Sequence, residues 1–193
     1  SLVERIGGNA EVVNLSNGIE LIAGSCSHGN HQHKHGVDPH IWTSPRELRT
    51  MAHNAYSAIM RHYPDSAHYT TAYRAFDEEL MQLDKECCEA LQTTQTKAFV
   101  IYHPALTYYA RAYGLEQIAI ESEGKEPSAK HIANIIEQAK AKGAKSLLYQ
   151  KEFPRSVVEV IADDMGLEPT EINPLQENAV EFIKEITKTI TSN

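Results

Sequence analysis

The feature that constrains this chain most is the alternation of short β-type runs with helical stretches that sets in after Thr96. Runs at 98–102, 117–121, 145–150 and 168–172 read as strands, and amphipathic stretches at 104–113, 128–142, 154–165 and 177–190 read as helices. Strands separated by helices of about 10–15 residues require right-handed crossovers and a parallel sheet. The expected fold class is α/β, with a parallel four-stranded sheet flanked by helices. Gly114, Gly143 and Gly166 each fall where a helix closes, a place that favours glycine. In such sheets ligands bind beyond the carboxyl ends of the strands. Attention therefore falls on Tyr102-His103, residues 121–126, Lys151-Glu152 and Asn173-Pro174.

Upstream of the sheet the pattern is helical. Ser44-Pro45 reads as an N-cap followed by proline in the first turn. Leu48, Met51, Ala52, Ala55, Tyr56, Ile59 and Met60 then recur at helical spacing to about His62. Pro64 ends that helix and Asp65-Ser66 caps another, whose apolar positions run from Tyr69 through Tyr73, Phe76, Leu80, Leu83 and Cys87 to Leu91. Nearer the start, 11–15 and 19–22 are short strand candidates. Residues 25–36, SCSHGNHQHKHG, hold no apolar group except Cys26.

Composition narrows the function classes. Eighteen Lys and Arg against 26 Asp and Glu leave a net charge of −8, and no basic cluster offers a face to phosphates, so no nucleic-acid partner is expected. No apolar run approaches the ~18 residues a membrane span needs. Cys87 and Cys88 are adjacent and Cys26 is remote, which makes neither a CxxC zinc site nor a disulfide framework. On a helix, one of the adjacent pair should face the core and the other solvent.

Histidine is the conspicuous residue, with ten in the chain and four of them between His28 and His35. His40 follows Asp38-Pro39, and His103 follows the first strand. Each stands after an extended run and before a helix start, on the ligand side of the expected sheet. A neutral imidazole there suits Zn²⁺, although position alone leaves open a capping or core role. His28, His31, His33 and His35 read either as a weak metal-collecting loop or as a solvated linker. The spacing from His33 to His40 departs from an HxHxDH hydrolase motif, because Asp38 comes one residue late and Pro39 intervenes. Glu121, Glu123 and Glu126 crowd one loop; with no nucleophile beside them, a capped, solvated loop is the favoured reading. His53, His62, His68 and His131 fall on expected helix surfaces and read as non-ligands. No GxGxxG, P-loop, GxSxG or HExxH occurs.

With these pieces placed, the chain resembles the metal-binding solute receptors of ABC importers for zinc and manganese. Asp38-Pro39-His40-Ile41-Trp42-Thr43-Ser44-Pro45 is similar to that family's DPHxWxSP signature. Tyr102-His103-Pro104-Ala105-Leu106-Thr107-Tyr108-Tyr109, with Tyr113-Gly114-Leu115, is similar to its HxAxxYxxxxYGL segment. Glu126-Pro127-Ser128-Ala129 matches its EPS turn, and Asn173-Pro174-Leu175 stands where the family writes DPL.

The resemblance implies a two-lobed receptor that holds metal between its lobes and is not an enzyme. It implies three divisions: 1–37 as an inter-lobe remnant with the His-rich loop, 38–64 as the ligand segment and linking helix, and 65–193 as the C-terminal α/β lobe. The implied ligands are His40 and His103, with histidine at 103 favouring Zn²⁺ over Mn²⁺. Asn173 replaces the family aspartate, so Asn173 or Glu152 would help complete the shell. The family's first ligand lies in an N-terminal lobe, so this chain is expected to be a truncated receptor carrying part of the site. The implied partners are the metal ion and an ABC transporter membrane permease. The implied location is periplasmic or extracellular, with a membrane anchor possible in the full-length form. Truncation would bare one face of the linking helix (Leu48, Met51, Ala55, Ile59), through which self-association is expected. Ligating imidazoles must be neutral, so affinity should fall as pH drops through about 6.5. The alternatives are a zinc-dependent hydrolase with Glu152 as base, or a surface adhesin or structural module with a passive His-rich loop.

Overall fold

Phe99-Val100-Ile101 and Leu147-Leu148-Tyr149 are continuous apolar runs, as strands buried on both faces require. In the computed structural model, which describes residues 10–24, 36–121 and 127–192, they occupy the two central strands. Strand β1 (Ala98–Ile101) pairs in parallel with β2 (Glu116–Ala119) and with β3 (Leu147–Gln150), and β3 pairs in parallel with β4 (Pro169–Ile172). The order is β2-β1-β3-β4. The edge strands β2 and β4 are only partly buried, which matches their mixed composition.

Six α-helices accompany the sheet among the described residues: α1 (Pro45–His62), α2 (Ala67–Thr93), α3 (Thr107–Tyr113), α4 (Ala129–Ala141), α5 (Arg155–Met165) and α6 (Ala179–Thr191). Side chains alternate across the strands and so divide the core in two. Phe99 and Ile101 join Leu80, Leu83, Leu91, Phe182 and Ile183, the layer of α2, α3 and α6. Val100 and Tyr102 join Ile118, Ile135, Val158 and Ile161, the layer of α4 and α5. Cys87 is buried in the first layer and Cys88 is half-buried, as the helical spacing implied. The expected α/β class and parallel four-stranded sheet are what the chain adopts.

Two local expectations need correction, and a third, the N-cap at Ser44, is met in position without its side-chain bond. The candidates at 11–15 and 19–22 form no strands, apart from a single antiparallel bridge between Ala23 and Val37. Several of their backbone groups are satisfied by side chains of the helices: Asn54 donates to the Leu15 and Asn17 carbonyls, Arg111 to the Glu20 carbonyl, and the Ile22 amide to Tyr108, while the Ile22 carbonyl accepts from the Asp38 amide. Ser44 is the N-cap of α1 by position, but its hydroxyl makes no capping bond and is buried without a partner. Helix α3 starts at Thr107, because Ala105 donates back to the His103 carbonyl at 2.7 Å and the chain stays irregular through Leu106.

The segment expected to link two lobes, α1, forms a helical hairpin with α2. The second arm, α2, is the longest helix at 27 residues, and its buried side chains are confined to Leu80, Leu83, Cys87 and Leu91. Arg49 grips Asp77 through two bonds of 2.6 and 3.0 Å, Arg46 meets Asp84 at 2.9 Å, and Tyr56 stacks on Tyr73 at 4.2 Å. These contacts bind α1 to α2.

Candidate metal site

The strand order reverses between β1 and β3: the chain leaves β1 toward β2, then crosses back to continue through β3 and β4. Beyond the carboxyl ends of strands flanking such a switch point, a crevice opens where no connection covers it. His103 stands two residues past β1, and Gln150, Glu152 and Phe153 stand at or just past the end of β3. His40 arrives from outside the sheet, at the start of a single 3-10 turn (Ile41–Thr43). Thr43 donates from its hydroxyl to the His40 carbonyl at 2.8 Å and closes that turn.

The two imidazoles meet, with ring centroids 5.1 Å apart and planes at 73°. They line a cleft of about 210 Å³ together with Gln150, Glu152, Phe153, Asn173 and Pro174. Two imidazoles bound through nitrogen at about 2.0–2.1 Å to one tetrahedral ion would have centroids roughly 5 Å apart. The observed separation matches that requirement.

Each ring is held by its other nitrogen. His40 donates from Nδ1 to Asp38 Oδ1 at 2.8 Å, and its backbone N–H reaches the same oxygen at 2.9 Å. Asp38 is buried, 8% exposed, which by itself pushes its carboxyl up; the hydrogen bonds from His40 and Thr107 outweigh burial and hold it below the usual aspartate value. It is therefore a carboxylate at neutral pH and an acceptor for the imidazole N–H. His103 is held in the same way, Nδ1 to Glu121 Oε2 at 2.6 Å. Among the described residues no hydrogen bond engages Nε2 of either ring, which leaves it as the nitrogen to accept or ligate.

The frame around the pair is tight. Gln150, 3% exposed, binds the backbone of His103 from both sides, accepting from its N–H at 3.2 Å and donating to its carbonyl at 3.0 Å. Phe153 lies nearly parallel to the His103 ring at 5.7 Å. Trp42 donates from Nε1 to the Pro174 carbonyl at 2.8 Å, tying the His40 turn to the loop after β4. Tyr108 donates to the Asp38 carbonyl at 2.9 Å.

The residues singled out in the sequence divide into four groups. His40 and His103 come together. Asn173 and Glu152 line the same cleft, but Asn173 Oδ1 accepts from the Leu175 amide at 3.1 Å and is engaged in its own turn. Among the described residues no three of His, Cys, Asp and Glu gather closely enough to hold a metal ion, so Glu152 does not complete a triad with the two imidazoles. His28, His31, His33, His35, Cys26, Glu123 and Glu126 lie outside the described residues. His53, His62 and His68 are exposed on helices, away from the cleft lining. Sequence reasoning missed the parts played by Glu121, Gln150 and Phe153. The signal for Glu121 lies in the strand register, which pairs Ile101 with Ala119 and so carries 103 opposite 121.

Comparison with known proteins adds an independent line. The family model described as "Zinc-uptake complex component A periplasmic" matches residues 1–193. The zinc-binding protein AdcA of Streptococcus pyogenes serotype M6 is 34% identical over 152 residues, covering 77% of this chain and 30% of the relative. The high-affinity zinc uptake system protein ZnuA of Bacillus subtilis (strain 168) is 31% identical over 182 residues, covering 88% of this chain and 56% of the relative. A crystal structure of ZnuA superimposes with a TM-score of 0.85 at 28% identity, covering 96% of this chain and 70% of that one. This chain thus spans 30% of the AdcA relative's length and 56% of the ZnuA relative's.

Proposed function

The chain belongs to the family of the periplasmic zinc-uptake component A, and from that premise we propose that it forms part of an extracytoplasmic receptor that captures Zn²⁺ for an ABC importer. His40 and His103 are the proposed ligands, each through Nε2, with the ion delivered to a membrane permease. The observation that carries this reading is the meeting of two imidazoles from separate segments at the switch point, each with Nδ1 committed to a carboxylate. Two nitrogens leave a tetrahedral ion short of donors. Groups from elsewhere in the receptor are proposed to complete the shell, because Glu152 lies on the cleft wall without forming a triad with the imidazoles and Asn173 Oδ1 is engaged by the Leu175 amide. Imidazole ligands favour Zn²⁺ over Mn²⁺, which prefers oxygen donors. The family is one of uptake components, so the hydrolase alternative is set aside.

The divisions 1–37, 38–64 and 65–193 are retained as proposed functional segments, with α1 of the α1–α2 hairpin as the linking helix. Self-association is proposed through the same hairpin. Ala52, Ala55, Tyr56, Ile59, Tyr73 and Phe76 line an apolar groove of about 330 Å³ between its arms, which supports that reading. A strictly monomeric mass by light scattering at high concentration removes it.

The test of the receptor reading is a native mass-spectrometric zinc titration of the wild-type chain beside the His40→Ala/His103→Ala double variant. Loss of one bound Zn²⁺ in the variant is the expected result. Equal zinc counts in the two would assign the metal to other residues and overturn the ligand assignment.

A further inference from the structure

Glu121 stands in a segment that reads from sequence as an acidic, solvated loop, yet its side chain is only 10% exposed and it meets the His103 ring. The placement follows from backbone geometry. In a parallel pair, residues in register point to the same face of the sheet, about 4.8 Å apart. The pairing of β1 with β2 runs Val100 with Ile118 and Ile101 with Ala119. It continues past the named strands: the Ile120 amide donates to the Ile101 carbonyl at 2.8 Å, and the Glu121 amide to the Tyr102 carbonyl at 2.9 Å. Both residues therefore leave the sheet together, and Glu121 reaches His103 because the ladder delivers it there.

We infer that Glu121 is a positioning residue for metal capture, fixing His103 as the Nδ1–H tautomer so that Nε2 faces the cleft before any ion arrives. The inference rests on His103 being a zinc ligand. Free neutral imidazole distributes its proton between the two nitrogens, and a ring that must rotate or exchange tautomer before binding loses affinity. Three contacts leave His103 little freedom: Glu121 on Nδ1, Phe153 along its face, and Gln150 on its backbone amide and carbonyl. Only the first selects which nitrogen carries the proton. Glu121 thus does for His103 what Asp38 does for His40. The pair of carboxylates comes from unrelated parts of the chain, one two residues before its histidine and the other 18 residues after.

The test reads the tautomer directly in the metal-free chain. Two-bond ¹⁵N–¹H correlations of ¹⁵N-histidine-labelled protein distinguish Nδ1–H from Nε2–H imidazole, with His103 assigned by its loss in His103→Gln. Wild type is expected to show His103 as Nδ1–H. Glu121→Gln, whose amide oxygen still accepts, is expected to keep that form, whereas Glu121→Ala is expected to shift His103 toward Nε2–H and leave His40 unchanged. In zinc titrations of the same proteins, Glu121→Ala should weaken binding by about 10–100-fold, and Glu121→Gln should recover most of the loss. A wild-type His103 protonated on Nε2, or a tautomer unmoved in Glu121→Ala, overturns the assignment. Because the tautomer is measured without metal, it separates this inference from the receptor reading, which stands or falls on the zinc count of the histidine variants.

Discussion

His40 shows how much is decided by one side chain and its neighbour. Its ring is 16% exposed and packed against Trp42 and His103, and its orientation is set by Asp38, whose buried carboxylate takes both the ring N–H and the backbone N–H. Asp38→Ala is therefore expected to lower zinc affinity by about 10–100-fold while leaving His40 in place, measurable by competition with a chelating dye. Cys87 makes a contrasting case. Burial pushes its thiol up despite hydrogen bonds with Thr187 and Tyr113, and the side chain is 1% exposed. A buried, protonated thiol is a poor nucleophile. Alkylation followed by peptide mapping should label Cys87 only on unfolding; rapid labelling of the native chain would show that the first core layer opens. Both histidine positions were legible in sequence because short motifs mark them. Asp38 was legible as a motif residue and Glu121 was not, since its role depends on a partner strand 18 residues away.

Among the elements, the α1–α2 hairpin is where charge contributes most visibly. The Arg49 guanidinium beside Asp77 holds that carboxyl below the ordinary aspartate value. A carboxyl with a depressed folded pKa stabilises the chain above its unfolded pKa of about 3.9, and the contribution is lost as pH falls through the lower folded value. Asp77→Asn should accordingly cost roughly 0.5–1 kcal/mol at pH 7, given a two-bond but partly solvated pair. The difference from wild type should shrink as pH falls below the unfolded value and disappear once the folded carboxyl is protonated. Urea midpoints followed from pH 7 into the acid range check both statements. The Trp42 indole bond to the Pro174 carbonyl joins the His40 turn to the loop carrying Asn173. Removing its donor in Trp42→Phe should cost about 1 kcal/mol by the same assay. The helices were readable from periodicity because each buries one defined face, and the central strands from continuous apolar runs buried on both faces. The expected strands at 11–15 and 19–22 misled because alternation says nothing about where a backbone finds its partners. Here the partners include Asn54, Arg111 and Tyr108 on helices.

Across the whole molecule, the sheet separates two core layers and presents one open edge of the switch point to the cleft. The layer of α2, α3 and α6 depends on Phe182, which is 1% exposed among Phe99, Leu80 and Ile183. Phe182→Ala should cost about 3–5 kcal/mol through transfer and cavity terms, seen as a large fall in the denaturation midpoint. The fold class and the parallel sheet followed from the alternation of elements, whereas the strand order followed from no local signal. It is the order that brings His103, Gln150 and Phe153 to one crevice and leaves room there for His40. The most direct measurement of the central claim is anomalous X-ray diffraction at the zinc edge from crystals of the chain grown with one equivalent of Zn²⁺. The account predicts a peak about 2.0–2.1 Å from Nε2 of both His40 and His103. A peak bound through Nδ1 of either ring, or one lying away from this pair, would contradict it.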